Sequence, residues 1–62
     1  MNNAKHTKAE LEQAYKAILS TLHKCEKAFE KLEVGTSQYT LMERRIAAFQ
    51  VALELIGEKL NP

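Results

Sequence analysis

Val34-Gly35-Thr36-Ser37 is the interior break on which the fold turns, because glycine and proline are nearly absent elsewhere: the second glycine is Gly57 and the sole proline is Pro62. Glycine readily takes the left-handed conformation that ends a helix, and a Ser or Thr just after it can open the next. Before the break, apolar or aromatic side chains fall at Leu11, Tyr15, Ile18, Leu22, Cys25, Phe29 and Leu32. After it they fall at Tyr39, Met42, Ile46, Phe49, Leu53, Ile56 and Leu60. Steps of three and four alternate without interruption in both arms, the pattern of amphipathic helices packing side by side at a shallow angle.

Two helices joined by so short a turn run antiparallel. Pairing the seams outward from the break sets Leu32 against Tyr39, Phe29 against Met42 and so on to Leu11 against Leu60, and the residue numbers of every pair add to 71. Both arms advance along the axis by the same rise per residue, so a constant sum is what successive layers of one hairpin require. The sequence therefore predicts an all-α fold, an antiparallel αα-hairpin.

Local signals set the expected boundaries. Thr7 and Glu10 have the spacing of a capping box, and Glu10 and Glu12 suit the positive end of the macrodipole. The first helix is expected over about residues 8–33, ending at Glu33 or Val34, with the turn at 34–37. Ser37 is the preferred cap of the second helix over a competing Thr40/Glu43 box, because the seam already includes Tyr39. That helix is expected over about 38–59, fraying after Gly57.

The chain of 62 residues and 7.0 kDa suits one domain over 1–62, and 45% apolar with 27% charged residues is a globular balance. A net charge of +1 provides no whole-molecule field to attract a polyanion. The longest apolar run, Ile46-Ala47-Ala48-Phe49, is far too short to span a bilayer, and the polar start Met1-Asn2-Asn3-Ala4-Lys5-His6 lacks the apolar region of a leader. A single cysteine forms no internal disulfide, so the expected compartment is the cytoplasm.

No constellation of catalytic or metal-binding residues emerges. His23 and Cys25 are two positions apart, roughly 200° around a helix, and do not share a metal. Cys25 is expected to be a small buried hydrophobe opposite Ile46, with an inert thiol. Neither histidine has a glutamate three residues before it, which excludes a di-iron bundle motif. Glu26, Glu30 and Glu33, mixed with Lys24, Lys27 and Lys31, read as a solvated face. Arg44-Arg45 is the one clustered basic pair, too little for nucleic acid, and Tyr15 and Tyr39 belong to the seam. Glu43, Glu54 and Glu58 count against docking on an anionic membrane. The expectation is a protein without enzymatic activity, cofactor or metal, and with neither nucleic acid nor membrane as partner.

What remains is association. One seam seen from one side is a thin core for two helices of this length, and small chains commonly make up the deficit by oligomerising. The second helix carries Leu41, Ala48 and Leu55 at intervals of seven beside its seam, with Arg45 and Ala52 between them. The first carries the small residues Ala14, Thr21 and Ala28 at the same interval. Stripes of this kind allow close helix approach. The expectation is a homodimer forming a four-helix bundle, with Leu41, Arg45, Ala48, Ala52 and Leu55 in the interface. The alternative is a small regulator or inhibitor that lays this stripe on a different protein in the helix-in-groove mode.

Lys24-Cys25-Glu26-Lys27-Ala28, Gly35-Thr36-Ser37-Gln38, Thr40-Leu41, Arg45-Ile46-x-Ala48 and Ala52-Leu53-x-Leu55-Ile56 together resemble short helical-hairpin proteins of Gram-positive bacteria. The resemblance covers residues 24–56 and implies a bacterial, cytoplasmic, helical protein; it brings no activity with it. In size and architecture alone the chain is also similar to small helical-hairpin inhibitors of bacterial signalling proteins, a comparison of folds with no motif behind it.

Overall fold

A computed structural model describes residues 5–61. The start Met1-Asn2-Asn3-Ala4, read above as unlike a leader, lies outside them. Two helices make up the fold, α1 at Lys8–Phe29 and α2 at Ser37–Leu60, packed against each other as a hairpin.

The start of α1 follows the capping rule. Thr7 Oγ1 accepts from the Glu10 N–H at 3.1 Å, and the Thr7 N–H donates to Glu10 Oε1 at 2.8 Å, so each residue satisfies a backbone donor of the other.

Its end departs from expectation: α1 stops at Phe29, not at Glu33 or Val34. Beyond Phe29 the winding tightens, with the N–H groups of Lys31 and Leu32 reaching back to the carbonyls of Ala28 and Phe29, both at 3.1 Å. Three-residue winding of this kind commonly closes a helix terminus, where the last carbonyls lack intrahelical partners, and the chain from Glu30 to Thr36 makes the reversal.

Inside that stretch Gly35 sits at φ +93°, and the Thr36 N–H donates to the Glu33 carbonyl at 3.3 Å, closing a four-residue turn with glycine in the place that needs a positive φ. The cap of α2 is Thr36, not Ser37, which is the first helical residue. Thr36 Oγ1 donates to the Glu33 carbonyl at 2.8 Å and accepts from the Tyr39 N–H at 3.1 Å. One hydroxyl thus ties the turn to the helix it opens. At the far end Gly57 does not fray α2, which runs on to Leu60 and closes with the Asn61 N–H on the Gly57 carbonyl at 2.9 Å.

All the seam residues of both arms are buried or half-buried, as the heptad pattern requires. Two of the described residues are buried, Leu22 at 6% exposure and Leu53 at 9%. Cys25, expected to be buried, is half-buried, because a single layer of two helices leaves each seam open along its edges. Two contacts fix the register. Near the turn the Phe29 and Tyr39 rings lie with centroids 4.5 Å apart at 35°. At the open end Tyr15 lies beside Gly57. These pairs add to 68 and 72, bracketing the expected 71. Tyr39, set opposite Leu32 by the sequence register, lies against Phe29 because Leu32 has left the helix.

Candidate association surface

Each residue of a helix is turned by about 100° from the last. With the two seams facing each other in antiparallel helices, this places the remaining residues on two broad faces, and the Tyr15–Gly57 contact shows which side is which. Ala14, Thr21 and Ala28 of α1 share one face with Leu41, Arg45, Ala48 and Ala52 of α2, and Leu55 borders it. The opposite face carries the carboxylates Glu12, Glu26, Glu30, Glu43 and Glu54 around the half-buried Leu19. The modest net charge therefore conceals a separation, one face rich in carboxylates and the other nearly free of them, with Glu10 at its edge.

The stripe expected from the sequence is open to solvent. Leu41 is 51% exposed and Leu55 58%; Arg45 and Ala48 are exposed, and Ala52 is half-buried. Thr21 is less polar than its name suggests, since its hydroxyl donates to the Ala17 carbonyl at 3.0 Å and is satisfied within its own helix. A shallow groove lies at each end of the face. Near the turn, Leu32, Gln38, Leu41, Met42 and Arg45 line about 300 Å³. At the open end, Leu11, Leu55, Ile56, Glu58 and Lys59 line about 510 Å³.

Two exposed apolar residues escaped the sequence reading, Val51 at 55% and Val34 at 82%. Val51 falls three residues after Ala48 and four before Leu55, so helical spacing carried the signal and extends the apolar surface toward the outer edge of α2. Val34 sits on the turn, where no periodicity applies.

The titratable groups are dispersed. Among the described residues no three His, Cys, Asp or Glu side chains gather into a metal-holding group. His6 Nδ1 lies 3.8 Å from Glu10 Oε1. The Glu10 carboxyl is held below its ordinary value, chiefly by the Thr7 N–H that donates to it, with the Thr7 hydroxyl and His6 acting in the same direction. Among the described residues, no helix is long and apolar enough to cross a membrane.

Comparison with known proteins returns no match, whether to a family model, a curated protein or a solved structure.

Proposed function

We propose that this protein is a non-enzymatic interaction module that works as a self-associated helical bundle. The observation that carries the reading is how much surface the hairpin leaves open by itself. A compact monomer of 7.0 kDa exposes about 4,000 Å². This chain exposes 5306 Å². The excess, roughly 1,300 Å², is more than the ~800 Å² that each partner contributes to an ordinary stable interface. Domains generally need two packed layers, and one hairpin supplies one. The face formed by Ala14, Thr21, Ala28, Leu41, Ala48 and Ala52, with Arg45 among them and Leu55 at its border, is largely apolar and poor in carboxylates, and is suited to receive the second layer.

The same reading places the protein in the reducing cytoplasm, on the strength of its single cysteine, and keeps the kinship of residues 24–56 with Gram-positive hairpin proteins. Sedimentation equilibrium together with thermal melts at two protein concentrations tests it. A dimer shows twice the chain mass and a melting temperature that rises with concentration. A monomer whose melt is independent of concentration overturns self-association and favours the alternative, a docking module for a different protein.

A further inference from the structure

The proposed self-association leaves open how the second copy sits, and the face itself carries a symmetry that decides it. Leu41 and Leu55 lie seven residues to either side of Ala48, and Ala14 and Ala28 seven to either side of Thr21. Thr21 and Ala48 add to 69, within two residues, or about 3 Å along the axis, of the hairpin's own register. One line across the face therefore passes through the centre of both stripes.

We propose that this line is the two-fold axis of a homodimer in which α2 packs antiparallel on α2 of a second copy, and α1 on α1, with Ala48 and Thr21 each meeting themselves. Leu41 of each copy then lies over Leu55 of the other, and the small residues stand where the helices come closest. Isologous contacts of this kind are the commonest route to a closed dimer. The groove beside Leu41 and the groove beside Leu55 are exchanged by the axis, so each leucine is carried to the rim of a groove in the other copy.

Charge separates this arrangement from its rival. Of the charged residues of α2, Glu43 and Glu54 lie on the opposite face, and those turned toward this one are Arg45 before Ala48 and Lys59 after it. Arg45 falls opposite Val51 of the second copy, and the two Arg45 residues stand six residues, about 9 Å, apart along the axis. A two-fold axis parallel to the helices would instead lay α2 on α1 of the second copy. It would bring Arg45 level with its own counterpart and with Lys24, while the carboxylates bordering this face, Glu10 and Glu58, stand at the far end. Cations gathered at one height without a counterion repel, more strongly as water is excluded. The perpendicular axis avoids this.

Because this inference rests on self-association, the test reads the two separately. In a Cys25→Ala background, sedimentation equilibrium under reducing conditions first reports the mass. Mild oxidation of Ala48→Cys alone is then compared with an equal mixture of Ala48→Cys and Thr21→Cys chains. The expected result is a dimer in which Ala48→Cys links to itself at least tenfold faster than in denaturant, with no preference for linking to Thr21→Cys. A dimer that does not link through residue 48, or links 48 to 21, overturns the axis and leaves self-association standing. A monomer overturns both.

Discussion

The edge of the Tyr15 ring stands 3.8 Å from the place a β-carbon on Gly57 would occupy, an ordinary van der Waals distance. Gly57 is helical, with no need of a positive φ, so neither backbone nor packing requires a glycine there. Gly57→Ala is expected to stabilise the fold by about 1 kcal/mol, the difference in helix propensity, and to gain contact with Tyr15 besides. A chemical denaturation midpoint that rises at unchanged slope checks this. A fall in stability would show that the Tyr15 ring has no room to accept a methyl group.

Gly35 makes the opposite case. It lies at φ +93° with no atom within 4 Å of an added β-carbon, so any penalty for substitution is conformational and not steric. Gly35→Ala should cost about 1 kcal/mol, and Gly35→Asn less, because asparagine tolerates the left-handed region better. Equal losses for both would mean that the turn adopts another conformation in solution.

The Thr36 hydroxyl makes two bonds, to the Glu33 carbonyl and from the Tyr39 N–H. Thr36→Val keeps the shape and removes both, and should cost about 1–2 kcal/mol; Thr36→Ser should recover most of it. Ser37→Ala, at the position the sequence favoured as the cap, should change stability by less than about 0.5 kcal/mol. The reverse ranking in denaturant melts would restore Ser37 as the cap.

These positions show where sequence was sufficient and where it was not. The heptad seams set the helices, their antiparallel order and a register within a few residues of the Phe29–Tyr39 and Tyr15–Gly57 contacts, because burial of an apolar stripe depends on spacing alone. The helix ends escaped it. Ser37, Thr36 and Thr40 are all chemically competent caps, and the choice depends on how many residues the reversal consumes, a distance that no local motif encodes. Cys25 has a seam position but not a buried one, since depth depends on a second layer, not on periodicity. Leu41, Ala48 and Leu55 were legible as a stripe, whereas the carboxylate-rich face opposite them required both helices to be oriented together.

Glu10 gives a pH dependence with a definite sign. Its carboxyl is held below the ordinary value by the Thr7 N–H, so it binds its proton less readily when folded than when unfolded. Its stabilising contribution is full above the unfolded carboxylate pKa and is lost as pH falls through the lower, folded value. Acid titration of the denaturation midpoint, followed by helical circular dichroism, should show a stability loss that continues below the ordinary carboxylate range, and Glu10→Gln should remove that part. An unchanged acid profile in Glu10→Gln would show that the capping carboxylate does not govern it.

The sharpest distinction between a dimer and a lone hairpin comes from Leu55. At 58% exposure in the hairpin, a glutamate there is solvated and should leave a monomer within about 0.5 kcal/mol of its original stability. In the proposed dimer the same substitution removes the Leu55–Leu41 contact and brings a carboxylate to the rim of the groove that Leu41 and Arg45 line in the second copy. A buried polar group costs about 1–3 kcal/mol when imperfectly paired, so two symmetric sites should weaken association by at least about thirtyfold, or roughly 2 kcal/mol. Val34→Glu serves as the control, since Val34 is 82% exposed on the turn and away from the stripe. The expected outcome is a Leu55→Glu chain that is helical, monomeric at concentrations where the parent and Val34→Glu are dimeric, and no longer dependent on concentration in its melt. If Leu55→Glu and Val34→Glu behave alike, this face does not mediate self-association.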